Sequence, residues 1–474
     1  MQSALQRVLW GLLALAAVPS GMANRVFVGE LQQTAVHGKE SSISPEYGRH
    51  NSSHVHRQQV HLRLRTGEMR RLLFPKAPSK LPRSGSWVMV RTLPLQQCVG
   101  GEGIANAMCV GSILAQEGAA RDSFAAGQPR GPIKLKSLIM QLQVCGQGPA
   151  TTPENLAAAL FEGEPGSQAE TVQGMFTACS HGNADFSRAS GKWSDVANDY
   201  VKHVLGINWE EFKYKIYVVP PGDLCSWGGL GWVGCKSDCR AWISGDLWMY
   251  PTTWMHELGH NLYLNHAGSF QQVAGGGTQF VAYKDDSGAM GHCCSTRCFN
   301  APHSHQLGWS KAVDTLNKDN FGAGEWRSYT LPPRAGQGSR DANLIRVQPD
   351  WDGPAAAFNL FLEYRKGASY DAGLLPSVRD KVMLYSTPGS DAMPFTTFEV
   401  AIGPNQISHE SRIGSHLAIW VGSESAEGIQ VNLCRPLNEH EVNCSDGRDD
   451  DYVSSLLANA SSECASGVVV MTPG

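Results

Sequence analysis

The residues best suited to chemistry lie in one short stretch, residues 251–266 (PTTWMHELGHNLYLNH). On a helix, residues four apart lie on one face, so the ring nitrogens of His256 and His260 can reach the same metal ion. Glu257 lies one position round the helix, where it can take a proton from water that the ion polarises. The H-E-x-x-H spacing therefore predicts a zinc site with two His ligands and a Glu general base. A chance match on a core helix is the alternative.

The composition and the N-terminus predict a secreted globular protein. The chain has 474 residues, enough for two or three domains, and its net charge of −4 is too small to indicate nucleic acid or a membrane surface. Residues 1–23 are typical of a signal peptide, and their apolar run is too short to span a bilayer; an uncleaved anchor is the alternative. The 13 Cys then indicate disulfides, and sequons at Asn51, Asn443 and Asn459 fit a glycoprotein.

Residues 24–130 are predicted to form a pro-region. Alternating apolar residues predict strands in VHLRLRTGEMRRLLFP and SWVMVRTL. Residues 115–132 are typical of a linker, in which Arg121 or Arg130 could be processed. Residues 55–100 contain nine Arg and Lys but one acidic residue. This charge fits a basic pro-segment over a more acidic body and fits a solvated basic face equally well.

The next segment, residues 131–316, alternates between predicted strands and helices around the H-E-x-x-H stretch. This order is typical of an α/β (α+β) catalytic domain whose active-site helix packs on a small twisted sheet. Residues 317–435 predict a β-sandwich-like C-terminal region, and residues 436–474 form an acidic tail. The predicted elements are strands at residues 136–144, 171–177, 214–219 and 241–244 (an edge strand), helices at residues 152–161 and 193–205, a disulfide-stapled loop at residues 225–235, and C-terminal strands in ANLIRVQ, FNLFLEYR, KVMLYST, HLAIWVG and GIQVNLC.

Several segments resemble the gametolysin family of zinc metalloproteases (peptidase family M11). They are LQVCGQGPATTPE, FTACSHG, CSWGGLGWVGC, HELGHNLYLNH, DDSGAMG and CFNAPHSHQLGW, and the similarity runs from about residue 138 to about residue 434. The resemblance implies a metzincin-like zincin fold and a secreted zinc endopeptidase made as a zymogen. It also implies protein substrates, namely hydroxyproline-rich cell-wall glycoproteins. A calcium ion is possible, but the sequence does not support a site for it.

Carried onto this sequence, the family pattern assigns a role to five residues. It implies His256, His260 and His266 as the zinc ligands, Glu257 as the general base and Met290 as the Met-turn residue beneath the metal. Three neutral imidazoles would leave the ion its full charge to polarise water and the scissile carbonyl. Met290 would supply a packed floor and no chemistry.

One position departs from the family pattern, because Tyr263 stands where the pattern has Gly. Gly would let the backbone leave the helix with φ > 0 and direct His266 to the metal. A Tyr in that conformation would be strained by about 1–2 kcal/mol. Alternatively the helix runs one turn longer and misplaces His266. Nearby residues that could replace that ligand are Asp286, His292, His303 and His305.

The cysteines leave two questions open. Cys98 could block the metal as a latency switch, or it could bridge Cys109. The pairs Cys235/Cys239 and Cys294/Cys298 could bind a structural zinc, although disulfides fit an oxidising compartment better. A second hypothesis of a different class also follows from Tyr263: a catalytically weak, metal-binding matrix protein.

Overall fold

The chain folds mainly into β-strands with a few helices, a mixed α and β composition. The computed structural model describes residues 26–38, 59–64, 69–75, 87–93, 98, 107–116, 133–142, 148–161, 171–186, 206–221, 227–235, 238–273, 277–291, 296–351, 358–388, 395–410 and 417–435. The predicted signal peptide, the sequons, the predicted helix at residues 193–205, His292, Cys294 and the predicted acidic tail lie outside these residues.

The strands are β1 (Val26–Gly38), β2 (Gln59–Leu64), β3 (Met69–Leu73), β4 (Trp87–Leu93), β5 (Ala107–Gln116), β6 (Ile133–Lys134), β7 (Ser137–Gln141), β8 (Ala184–Asp185), β9 (Tyr214–Val218), β10 (Trp227–Trp232), β11 (Cys239–Ile243), β12 (Ala267–Val273), β13 (Gly277–Ala282), β14 (Lys311–Leu316), β15 (Trp326–Leu331), β16 (Ala342–Val347), β17 (Phe358–Arg365), β18 (Lys381–Pro388), β19 (Thr396–Ile402), β20 (Gln406–Glu410), β21 (Leu417–Ser425) and β22 (Gly428–Cys434). The α-helices of the described residues are α1 (Pro153–Leu160), α2 (Val172–Cys179), α3 (Pro251–Asn261) and α4 (Ala301–Gln306), and the 3-10 helices are Trp209–Glu211 and Ser369–Asp371.

A nine-stranded sheet joins the predicted pro-region to the predicted catalytic domain. Its strand order is β2-β3-β5-β4-β1-β10-β11-β9-β7, and β1 also pairs with β2. The first five strands therefore close into a small barrel around an apolar core that includes Leu31, Leu62 and Val90. Strand β1 continues past the barrel, and its Thr34 to Gly38 portion pairs antiparallel with β10.

The active-site helix packs on the β10–β11 part of this sheet, as the α/β pattern predicts. The predicted strands at 136–144 and 214–219 are confirmed as β7 and β9, and the predicted helix at 152–161 is confirmed as α1, whose N-cap is Thr152.

Three predictions for this region are wrong. Residues 171–177 are the start of helix α2, with the hydroxyl of Thr171 as its N-cap, because the apolar residues recur at helical spacing. The predicted loop at 225–235 contains strand β10, and the predicted edge strand at 241–244 belongs to β11, which lies between β10 and β9.

Two further large sheets follow the nine-stranded sheet, and β6 pairs with β8 in a separate two-stranded sheet. The seven-stranded sheet has the order β13-β12-β19-β18-β17-β16-β14, and the four-stranded sheet has the order β15-β22-β21-β20. Side chains from both enter one apolar core that includes Leu362, Leu384, Ile419 and Val431. The five predicted C-terminal strands are confirmed as β16, β17, β18, β21 and β22.

The sheets cross both predicted domain limits. Strand β1 pairs with β10, and β12, which directly follows the active-site helix region, pairs with β19. The limits at residues 130/131 and 316/317 stay predictions, but the segments on either side share hydrogen-bonded sheets. Within the part of the chain described above, no helix is long and apolar enough to cross a membrane.

Candidate metal centre

Helix α3 is anchored at both ends by local side-chain contacts. Pro251 occupies its first turn, where the missing N–H has no helical partner to lose. Near that end, the indole of Trp254 donates to the carbonyl of Trp248 over 2.7 Å. At the other end, the amide of Asn261 donates to the carbonyls of Trp232 (2.9 Å) and Arg240 (3.0 Å), which fixes the helix to β10 and β11. All residues of α3 are buried.

The helix ends where the metal-binding pattern requires it to end. Tyr263 has φ 69°, the left-handed conformation expected at the position of the family's Gly. The N–H of Tyr263 donates to His260 O (2.9 Å) and that of Leu264 to Gly259 O (2.9 Å), the bonds of a Schellman motif. The alternative of a longer helix is therefore wrong, and the chain turns so that His266 faces the helix.

The cost of this Tyr conformation is offset by its side-chain and backbone contacts. Its ring occupies the space beside Gly234, where no Cβ would fit. Its hydroxyl donates to Cys235 O over 3.2 Å, and its carbonyl accepts from the amide of Gln306 over 2.9 Å. These contacts explain how a Tyr can stand in a turn that favours Gly.

The three His predicted as ligands converge on one point. Nε2 of His260 lies 3.1 Å from Nε2 of His256 and 3.1 Å from Nε2 of His266. They form the one group of three or more potential ligands found among the described residues, and all three are buried. Zn–N bonds of about 2.0–2.1 Å place tetrahedral ligand nitrogens about 3.3 Å apart, close to these separations.

The hydrogen bonds of the rings prepare two of these nitrogens for a metal. Nδ1 of His256 lies 2.8 Å from Ala289 O, and Nδ1 of His260 lies 3.0 Å from Leu264 O. A carbonyl oxygen only accepts hydrogen bonds, so each Nδ1 carries the proton and each Nε2 carries a lone pair. Burial lowers the pKa of His260 to about 4, which keeps its ring neutral. Two facing lone pairs repel each other unless a cation lies between them, so the donor set fits a metal ion.

Glu257 lies against β10, in a space kept open by two glycines. A Cβ on Gly229 would collide with the Glu257 carboxylate, and a Cβ on Gly231 would collide with the helix backbone. The Glu257 side chain is 1% exposed. Burial raises the pKa of Glu257 well above its usual range, which suits a group that must accept a proton near neutral pH.

Met290 lies beneath the helix, where the family pattern places the Met-turn residue. Its Sδ packs against Gly259, the residue before His260, so that a side chain there would collide with it. Its carbonyl accepts from the N–H of Ala267, the residue after His266, over 3.0 Å. The turn before it is held by Asp285, which accepts from Ser287 N (2.8 Å) and from the amide of Asn300 (2.9 Å).

Tyr283 is a residue of this site that the sequence patterns did not identify. Its hydroxyl lies 2.7 Å from Nε2 of His266, and the centroids of the two rings are 4.0 Å apart. Burial and then the charge of Glu257 raise the pKa of Tyr283 well above its usual range. No motif spacing links it to the helix, so only the fold reveals its position.

The replacement ligands do not join the cluster. His303 is buried on α4 and His305 stacks near Phe361, with ring centroids 5.4 Å apart; neither belongs to the three-His group, and nor does Asp286.

The latency switch at Cys98 is not supported, because Cys98 is bonded to Cys109 and a bridged sulfur offers no thiolate. Cys235 is bonded to Cys239, as the disulfide alternative predicted, whereas Cys298 is bonded to Cys179 and not to Cys294.

Comparisons with known proteins agree with the motifs. Residues 187–396 match the gametolysin peptidase M11 family. Over 312 residues the chain is 28% identical to an autolysin of Chlamydomonas reinhardtii, a match that covers 56% of this chain and 47% of the autolysin. The chain therefore spans about half the length of the curated relative that it matches. No solved structure matches. The matched segment contains α3, the three His, Tyr283 and Met290, and over this segment the chain is similar to the gametolysin peptidase M11 family.

Proposed function

We propose that the chain is a secreted zinc endopeptidase of metzincin-like fold that hydrolyses peptide bonds in protein substrates. The observation that carries this proposal is the convergence of three buried His nitrogens beside a buried carboxyl group. Nitrogen ligands suit zinc and do not suit calcium, which prefers oxygen. The same geometry supports the proposed roles of His256, His260 and His266 as ligands and of Met290 as packed floor.

The residues of the site divide the work of hydrolysis between them. A zinc ion held by the three His would polarise the scissile carbonyl and lower the pKa of a water molecule to about 7. Glu257 accepts a proton as the water oxygen adds to the carbonyl carbon, and it returns that proton to the amine when the C–N bond breaks. The carbonyls of Ala289 and Leu264 hold two of the rings in their orientation during these steps.

The N-terminal segment supports the proposal that the protein is made as a zymogen. The β10 strand lies directly over Glu257, and an unpaired edge there would offer its N–H and C=O groups to an extended peptide. In this chain that edge is paired with β1, with Ala35 opposite Gly231 and Val36 opposite Leu230. Residues 24–130 would therefore restrain the enzyme by covering the β10 edge, and not through a Cys98 thiolate.

The proposed substrates and location are supported by the sequence and by the disulfides. Cell-wall glycoproteins rich in hydroxyproline are proposed from the family resemblance, and secretion from the predicted signal peptide and the disulfides. The β-sandwich-like organisation of residues 317–435 and the acidic tail stay part of the same proposal.

A metal-binding matrix protein without activity is the second candidate. Tyr263 was the feature that favoured it, and the left-handed turn at Tyr263 now removes most of its support. A binding protein also has no need of a buried carboxyl group beside the metal ligands.

Cleavage that depends on Glu257 is the central test. A recognition site for a specific protease is introduced within residues 117–132 of the full chain. The purified protein is cut there, and the N-terminal and C-terminal parts are kept together in the assay. We expect one zinc per chain and cleavage of denatured casein that falls on the order of 10³-fold in Glu257→Gln. Glu427→Gln, a matched change at an exposed residue, should leave cleavage unchanged.

Zinc binding separates the two candidates. His266→Ala should weaken zinc binding at least about 100-fold in a competition titration, because it removes a ligand. One tightly bound zinc with no Glu257-dependent cleavage would establish the binding protein and refute the enzyme.

Latency is tested by comparing cut and uncut protein. The uncut chain should be at least about tenfold less active, since β1 competes with substrate for the same strand edge. Ala35→Pro removes an N–H from β1 and should activate the uncut chain, whereas Ala35→Ser, which keeps that N–H, should not. Equal activity of the cut and uncut proteins would refute this part of the proposal.

A further inference from the structure

A phenol hydroxyl lies on the metal-facing side of the His cluster. The Oη of Tyr283 is 2.7 Å from Nε2 of His266, and the ring also stacks on His256, with centroids 5.9 Å apart. We propose that Tyr283 is a further catalytic residue, which donates a hydrogen bond to the carbonyl oxygen of the scissile peptide bond as negative charge develops on it. This inference rests on the proposed function.

The backbone is distorted in the way needed to place this ring. Tyr283 follows β13 directly and has φ 68°, a conformation that costs a residue with a Cβ about 1 kcal/mol or more. The turn is held by the N–H of Lys284, which donates to Val281 O (3.4 Å), and by Lys284 O, which accepts from the hydroxyl of Ser269 (3.1 Å). Strain of this kind persists where the surrounding structure imposes it, and here it directs the ring onto His266.

The hydroxyl must change its partner when a metal binds. The Nε2 lone pair of His266 cannot bind a metal and accept the Tyr283 hydrogen bond at the same time. With a Zn–N bond of about 2.1 Å, an ion on Nε2 lies no farther than about 5 Å from Tyr283 Oη. A carbonyl oxygen that the ion polarises would lie close to both the ion and Tyr283 Oη, and it could therefore be the new acceptor.

The position also fits the direction of the reaction. A phenol has an ordinary pKa of about 10, so Tyr283 is protonated at neutral pH and can donate. Glu257, whose charge acts on Tyr283, can only accept while it is ionised. The two groups are thus suited to opposite tasks: Glu257 takes a proton from the nucleophile, and Tyr283 stabilises the oxygen that gains charge.

The competing explanation is that Tyr283 only packs against His266 and holds it in place. Phe keeps the ring and its stacking but lacks the hydroxyl, so Tyr283→Phe separates the two explanations. Tyr250→Phe, a change in a half-buried residue at the start of α3, is the matched control.

The test measures catalysis, the affinity for a transition-state mimic and the affinity for a product peptide. It uses the zinc-loaded full chain, cut within residues 117–132 with both parts kept together. In Tyr283→Phe we expect kcat/KM to fall about 100-fold with KM nearly unchanged, because the lost hydrogen bond forms in the transition state. A phosphinic peptide, whose tetrahedral oxygen mimics that state, should lose affinity by a similar factor. The carboxylate product peptide should lose less than about threefold.

A zinc titration gives a readout that does not depend on activity. Since the hydroxyl no longer competes for Nε2 of His266, Tyr283→Phe should bind zinc as tightly as the parent or up to about tenfold tighter. Weaker zinc binding, or unchanged affinity for the phosphinic peptide, would overturn the inference and leave Tyr283 as a packing residue. Absence of Glu257-dependent cleavage in the parent would instead remove the proposed function, and this inference with it.

Discussion

Helix α3, which carries two residues of the His cluster, and a second buried polar cluster contact the same residue, Phe299, but the two clusters satisfy their charges in opposite ways. The second is an arginine–carboxylate cluster formed by Arg334, Glu363, Arg365 and Asp371, all with 0% exposure. The ring of Phe299 packs close to Gly259 on the active-site helix, and its carbonyl accepts from Arg365 over 3.5 Å.

The charges of the arginine–carboxylate cluster balance within the cluster. Arg365 donates to both oxygens of Asp371, over 3.0 Å and 2.7 Å, and to Glu363 over 3.1 Å. The carboxylates in turn accept from backbone N–H groups, Asp371 from Cys298 (2.9 Å) and Glu363 from Ala301 (3.0 Å). Such a network ties the segment around α4 to β17. It pairs two positive with two negative side chains, although Arg334 Nε and Glu363 Oε2, 3.9 Å apart, form an ion pair without a hydrogen bond.

The His cluster is different, because it brings ring nitrogens together without an opposite charge between them. Its nitrogens face one another with lone pairs, and the proposed general base is a carboxyl group whose pKa burial raises. The contrast suggests a criterion for reading buried polar groups: a cluster that satisfies its own charges maintains the fold, and a cluster that needs a cation performs chemistry.

The largest expected effect on stability comes from removing a charge from the arginine–carboxylate cluster. Asp371→Asn leaves the Arg365 charge buried without its bidentate partner, and we expect the free energy of unfolding to fall by about 3–5 kcal/mol. In the metal-free chain, Glu257→Gln should change it by less than about 1 kcal/mol, since an uncharged amide replaces a carboxyl group that burial disfavours in its charged form.

Urea denaturation of the metal-free proteins measures both changes. Similar losses of stability in the two variants would contradict the claim that the arginine–carboxylate cluster stabilises the fold more than Glu257 does.

The sequence predicted the half of the site that depends on local geometry. His256, Glu257 and His260 follow from helical periodicity, and the turn at Tyr263 follows from the need for φ > 0 after the helix. Tyr283 and the carbonyl of Ala289 come from outside the helix, brought in by the strand pair β12–β13 and the turn after it. Residue spacing does not encode such contacts.

The fold was predictable to a similar extent. The alternating C-terminal strands and α1 were recognised, whereas α2 was mistaken for a strand although Val172, Met175, Phe176 and Cys179 have helical spacing. The pairing of β1 with β10 joins segments about 200 residues apart, and no local pattern indicates it.

His303 is a counterexample to the idea that every buried polar group without hydrogen-bond partners is functional. It is 0% exposed, and neither ring nitrogen has a hydrogen-bond partner among the described residues. Burial and then nearby His260 lower the pKa of His303 to about 3. It belongs to no ligand group, so we interpret it as a cost to stability.

A pH series on His303→Leu tests this interpretation. In the unfolded chain His has a pKa of about 6.5, so the stability present above that pH is lost as the pH falls toward 3. At pH 5 the parent should have lost about 2 kcal/mol through this residue, and the Leu variant should not lose that part. Urea denaturation of the metal-free chains from pH 8 to pH 5 measures the difference. Parallel curves would show that His303 has a partner that offsets its burial.

The smallest expected effect concerns Tyr263, where two substitutions distinguish the contribution of the backbone conformation from that of the side chain. Tyr263→Gly should relieve about 1 kcal/mol of backbone strain but lose the hydrogen bond to Cys235, the packing beside Gly234 and some rigidity of the unfolded chain. We expect a net loss of about 1–2 kcal/mol, and a loss of about 1 kcal/mol in Tyr263→Phe, which removes only the hydroxyl.

Zinc affinity decides what Tyr263 does for the site. Gly keeps the φ > 0 conformation and the Schellman bonds of Tyr263 and Leu264, so the position of His266 should not change. Zinc affinity in Tyr263→Gly should therefore stay within about threefold of the parent, a change of well under 1 kcal/mol. A tenfold loss would mean that the ring of Tyr263, and not the turn, positions the third ligand. The position of a ligand in the His cluster would then depend on a packing contact outside the cluster, whereas Arg365 and Asp371 are held by hydrogen bonds within theirs.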